Sequence, residues 1–134
     1  MDASRTTRLQ EALNNDPEFQ LASRFWNTNL KLDMGNSALL IRIQNGQVTE
    51  IERGYQDFDL LVPSDIQIQA PAEQWDKFLE LVPKPFYLDL WGATVHHGFK
   101  VGGDLEKVYA YYPAIRRFFD VMRAVTHNVQ THTA

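Results

Sequence analysis

Cysteine is absent from the chain, which excludes disulfides and thiolate chemistry and fits a reducing compartment. A basic surplus is lacking too. Thirteen lysines and arginines face seventeen acidic residues, a formal net charge of −4, and displacing counterions from a nucleic acid needs the opposite balance. No apolar run approaches the roughly 18 residues that cross a bilayer, so stable membrane insertion is not expected. The opening residues, Met1 to Asp16, are polar and lack the apolar core of a signal peptide. The last ones, Gln130 to Ala134, are not a Ser-Lys-Leu address. Cytoplasm is therefore the expected location. Catalytic motifs are missing as well: there is no Gly-x-Ser-x-Gly elbow and no His-Glu-x-x-His pair, and Gly102-Gly103 lacks the spacing of a phosphate loop.

What remains is an ordinary globular composition, 44% hydrophobic and 22% charged over 134 residues, enough chain for one domain with a real core. A single domain is expected to fill residues 1–134, with its core over about 17–125 and a flexible tail at 126–134. Leu9, Ala12 and Leu13 recur at helical spacing within Thr6 to Asn14. Asp16-Pro17 then starts a second helix, the aspartate as N-cap and the proline at the first helical position. That helix is expected to reach about Trp26, with Phe19, Ala22, Phe25 and Trp26 inward.

Leu30, Leu32 and Met34 alternate with Lys31 and Asp33, the period of a half-buried strand. Leu39, Ile41 and Ile43 repeat it, with Leu40 reaching toward a second apolar layer. Asn45-Gly46 is a type I′ hairpin pair, since both residues tolerate φ > 0. The chain returns over Val48 to Arg53, where Glu50, Glu52 and Arg53 suit an edge strand. A loop from Gly54 to Pro63 carries Tyr55, Phe58, Leu60 and Leu61. A fourth strand is expected over Asp65 to Ala70, and Pro71 opens a helix whose apolar face is Trp75, Phe78, Leu79 and Val82.

The stretch from Phe86 to Asp104 organises the rest. Phe86, Leu90, Ala93 and His97 recur at helical spacing beside Leu88, Trp91 and Val95. Gly98 leads into a short strand, Phe99 to Val101, and Asp104 caps one long last helix with Val108, Tyr111, Tyr112, Ile115, Phe119 and Met122 inward. Strands come first and helices mostly later, which gives an α+β fold.

This order of elements resembles the sterol carrier protein 2 (SCP-2) family of lipid-binding domains over roughly Arg24 to Met122. The hairpin Leu39 to Gly46, the strand-to-helix passage from Asp65 into Trp75, and above all Gly98-Phe99-Lys100-Val101-Gly102-Gly103-Asp104 carry the likeness. The last resembles the family's G-x-apolar-x-apolar-x-G-D strand. The resemblance implies a five-stranded, mostly antiparallel sheet with helices packed on one face. It also implies an apolar tunnel between them for a fatty-acyl or sterol-like lipid, with no cofactor.

The candidate ligand-binding residues are Trp75, Phe78, Leu79, Phe86, Leu90, Trp91, Val95, Tyr112, Ile115, Phe119 and Met122. Each reads as core before it reads as ligand wall, because sequence does not separate a dry core from a cavity. His96 and His97 are adjacent, so about 100° apart on a helix. They do not share the face that a metal site at i and i+4 requires. Two other classes of function remain open: a small α+β isomerase or cyclase with an Asp89, His96 or His97 and Tyr87 pocket, and a protein-interaction module with a filled core. The expected partner is an apolar small molecule, and a homodimer is compatible with the reading.

Overall fold

The computed structural model describes residues 3–54, 65–80 and 90–128, the side chain at 96 excepted. The expected loop aromatics Tyr55, Phe58, Leu60 and Leu61 lie outside these residues, as do Val82, Phe86, Tyr87, Leu88 and Asp89. Two helices, α1 (Ala3–Asn14) and α2 (Pro17–Ser23), lead into three meandering strands. These are β1 (Thr28–Asp33), β2 (Ala38–Gln44) and β3 (Gln47–Arg53). Then come β4 (Ile66–Gln69), α3 (Ala72–Phe78), α4 (Leu90–His96), β5 (Lys100–Gly103), α5 (Leu105–Ala110) and α6 (Tyr112–Thr126).

The five strands form one sheet in the order β3-β2-β1-β4-β5. All neighbours are antiparallel except β1 and β4, which run parallel with Leu30 opposite Ile66 and Leu32 opposite Ile68. This is the expected mostly antiparallel α+β sheet. Its inner face carries Leu30, Leu32, Leu39, Ile41, Ile66 and Ile68, which join one core with Leu9, Leu13, Phe19 and the inward side of α6.

The opposite face holds a second buried layer. Leu40 is buried there, opposite Lys31 in register. Lys31, a polar position of the β1 alternation, and Gln67 are buried as well. Lys31 pairs with Asp65 at 2.8 Å, with both side chains 3% exposed or less.

β3 is an edge strand, as its charges suggested, and α1 closes part of its open side. The Asn14 side chain accepts from Val48 N–H at 2.8 Å and donates to Val48 C=O at 2.9 Å. One amide thus imitates a neighbouring strand, which blocks edge-to-edge pairing at that point.

Two helix expectations are corrected. The second helix ends at Ser23 rather than Trp26, because Phe25 takes a left-handed φ of 68°. That turn leaves Phe25 76% exposed and delivers only Trp26 to the core. The single long last helix is two, broken at Tyr111. Pro113 has no N–H to return to the Tyr109 carbonyl, and its ring crowds that position. At the far end, Thr126 still belongs to α6, and His127 lies 2.8 Å from Leu79 C=O through its ring nitrogen.

The Gly-Gly-Asp run before α5 has a concrete physical cause. Gly103 has φ of 95°, and a Cβ there would stand 2.0 Å from the Asp65 carbonyl oxygen. The next residue, Asp104, donates its N–H to that same oxygen at 3.0 Å and caps α5 by accepting from Lys107 N–H at 3.2 Å. Gly103→Ala is expected to lower stability by about 2–3 kcal/mol, from the left-handed backbone and the displaced strand together. Urea denaturation checks it; a loss below about 0.5 kcal/mol, the usual range for neutral substitutions, would show that β4 gives way without cost.

Candidate functional site

The later helices meet the sheet through aromatic rings, and these fall into two groups. The inner group is Trp75 and Phe78 from α3, Phe99 just before β5, and Phe119 from α6. Trp75 lies 5.0 Å from Phe99 and 6.0 Å from Phe119 between ring centres, and Phe78 lies 4.9 and 5.0 Å from the same two. Phe78 and Phe119 meet edge to face at 84°, an arrangement in which one ring's positive edge meets the other's negative face. All four are at most 2% exposed. The Trp75 indole N–H reaches out of the cluster to donate to Asp33 C=O at 2.8 Å, tying α3 to the end of β1.

Arg123 fixes this group from the α6 side. Its guanidinium stands 4.7 Å over the Phe78 ring, and its Nε donates to Phe78 C=O at 2.8 Å. The Phe78 carbonyl belongs to the last turn of α3, where the macrodipole and unmatched acceptors favour a cation. Its partner Asp120 is one turn back on α6, at 3.1 Å.

The outer group is a half-buried corner where α4 meets the α5–α6 break. Trp91 stacks on Tyr109 at 5.2 Å and on Tyr112 at 5.5 Å, with interplanar angles of 21° and 24°. The Trp91 N–H donates to the Tyr112 hydroxyl at 3.3 Å. On the other side of the break Tyr111 stacks on Trp26 at 5.0 Å and 10°. Val95, one turn beyond Trp91 on α4, is 75% exposed, and Tyr109 and Leu105 are exposed on α5. The corner is an aromatic surface whose α4 side carries no acidic residue, lysine or arginine.

The structure therefore divides the sequence-named residues. Trp75, Phe78 and Phe119 touch one another; Leu79, Leu90, Ile115 and Met122 are buried in the same core. Trp91 and Tyr112 meet at the corner, Val95 lies at its outer rim, and Phe86 lies outside the described residues. Sequence reasoning passed over Phe99, Tyr109 and the Trp26–Tyr111 pair as parts of the site. Leu105 and Tyr109 at i and i+4 were a legible signal. Trp26 gave none, because its partner is remote in sequence.

Elsewhere, an open cleft of about 450 Å³ lies by the start of β1 and the end of β2, bordered by Asn27, Asn29, Arg42, Gln44 and Asn45. Its amides and guanidinium suit no apolar ligand. Among the described residues no group of three His, Asp or Glu is placed to hold a metal ion. Nor is any helix there long and apolar enough to cross a membrane.

Compared with known proteins, no family model and no curated protein matches the chain. Solved structures do. The chain is similar to a crystal structure of sterol carrier protein 2, with a TM-score of 0.69 and 15% identity, over 90% of this chain and 94% of that one. It is similar to the solution structure of a conserved hypothetical protein from Thermus thermophilus, with a TM-score of 0.68 and 16% identity, over 92% and 87%. A ubiquinone synthesis protein, UbiJ-SCP2, follows with a TM-score of 0.54 and 18% identity, over 90% and 93%. The fold is that of sterol carrier protein 2, as the sequence resemblance implied.

Proposed function

We propose that the chain is a non-enzymatic binding domain for an apolar small molecule, fatty-acyl or sterol-like, held between the sheet and the later helices. The observation that carries this reading is the aromatic corner, where Trp91, on a helix without Asp, Glu, Lys or Arg, stacks on both Tyr109 and Tyr112. Solvent-facing aromatic surface without charge is costly in water and is retained where an apolar molecule is to meet it. The fold supports the reading, since a structural neighbour is named sterol carrier protein 2. The energy is sufficient: an acyl tail of about sixteen carbons gains roughly 13 kcal/mol gross at about 0.8 kcal/mol per CH₂, before the costs of association. Cytoplasm is the proposed location.

Native mass spectrometry of the purified protein, with extraction of whatever it carries, tests this directly. A co-purifying fatty acid or sterol-like mass is the expected result. Bare protein that also shows no rise in melting temperature with added fatty acids would remove the reading.

A substitution separates binding surface from core. Trp91→Ala is expected to weaken ligand binding by about tenfold or more, while costing only about 1–2 kcal/mol of stability. The second figure is the value of two partly exposed stacking contacts. Titration with a fluorescent fatty acid beside chemical denaturation reads both. A stability loss of about 3–5 kcal/mol, the cost of truncating a core tryptophan, with ligand affinity of the folded protein unchanged, would make Trp91 ordinary core.

A further inference from the structure

Among the described residues, the indole N–H of Trp26 is a buried donor that meets no acceptor. The residue is 2% exposed. Buried polar groups in native proteins are paired in about nine cases of ten or more, and an orphaned one destabilises the fold. The contrast inside this chain is plain, for the other fully buried indole, Trp75, is satisfied by Asp33 C=O at 2.8 Å. Packing accounts for the Trp26 ring, which stacks on Tyr111 at 5.0 Å. It does not account for the N–H, since a phenylalanine stacks without carrying a donor.

We infer that Trp26 Nε1–H is the polar anchor of the bound molecule, donating a hydrogen bond to a neutral oxygen at the ligand's leading end: an alcohol, ketone or ester. This rests on the reading of the chain as an apolar-ligand domain. Tyr111 and Tyr112 are adjacent at the α5–α6 break, one stacked on Trp26 and the other on Trp91. The break thus sets one ring against the residue that carries the orphaned donor and the next ring against the half-buried Trp91. It is also where the covering chain is not held by continuous helical hydrogen bonds.

The oxygen is neutral for an electrostatic reason. A single N–H does not compensate the desolvation of a carboxylate. The arginines flanking this pair in sequence do not supply the missing charge: Arg24 and Arg116 are exposed, and Arg117 is engaged by Asp16 and Glu18.

The test compares 1-dodecanol with dodecane, which have the same chain with and without the oxygen, on the wild-type protein and on Trp26→Phe. Each is measured by displacement of a bound uncharged fluorescent sterol. The preference for alcohol over alkane is expected to fall about tenfold in Trp26→Phe, the size of one lost buried hydrogen bond. A cavity left by the smaller ring affects both probes alike and cancels in the ratio. An unchanged preference makes Trp26 plain core and overturns the inference, while leaving the binding function intact. Failure of both probes to bind the wild type overturns the two together.

A second measurement needs no Trp26 variant. In the wild-type protein the Trp26 indole N–H resonance, assigned by elimination with Trp75→Phe and Trp91→Phe, is expected to move downfield with 1-dodecanol and to stay in place with dodecane. Equal response to both probes counts against the anchor.

Discussion

An Asp16→Ala variant is expected to lose about 4–6 kcal/mol of stability, seen as a large drop in the urea midpoint with an unchanged slope. The carboxylate is fully buried and does two jobs. It caps α2 by accepting from Phe19 N–H at 2.8 Å, a bond whose removal costs about 1 kcal/mol. It also takes Arg117 in a fork, with Nε to Oδ2 and Nη2 to Oδ1 both at 2.8 Å. The hydrogen bond to Asp16 holds the Arg117 pKa above its ordinary value despite partial burial. Removing one partner of such a pair costs about 3–5 kcal/mol, because the other charge remains desolvated. Glu18 stands 3.2 Å from Arg117 but is 69% exposed, so it screens the loss only weakly. Asp16→Asn keeps the cap and isolates the ionic part. A midpoint for Asp16→Ala within about 1 kcal/mol of wild type would show that Arg117 escapes to solvent when released, and that its contact with α2 contributes little.

Asp65→Ala is the second large effect, at about 3–5 kcal/mol. Asp65 meets Lys31 at 2.8 Å on the sheet face away from the main core, and accepts from the Asn29 amide at 3.0 Å. Lys31 stands on the sheet's central strand, in register between Leu40 and Gln67, where an ammonium has little access to water. The backbone of Asp65 receives Asp104 N–H whatever the side chain, so the substitution tests the carboxylate alone. Lys31→Met with Asp65→Leu is expected to cost less than the two singles added, since neither charge is then left unpaired. Additive losses in that double-mutant cycle would contradict the pairing.

Arg117 shows how far the sequence could go. Asp16-Pro17 announced a helix start by itself, because capping is a contact between residues three apart. Nothing local announced that the same carboxylate would hold Arg117, 101 residues on. Trp26 is a similar case. Helical periodicity carried it and Phe25 into the core together, and a single left-handed residue separated them.

The sequence by itself determined what short-range physics governs. This comprises the hairpin at Asn45-Gly46, the alternation of the strands, the caps at Asp16 and Asp104, and with them the order of an α+β sheet. It also determined the identities of the rings that line the later helices. Only the tertiary structure decided that Lys31 is buried with Asp65, and which rings meet at the corner where Pro113 breaks the last helical run. Those outcomes depend on pairs far apart in the chain and on which face of the sheet is covered. Packing settles them, and local propensity does not encode them.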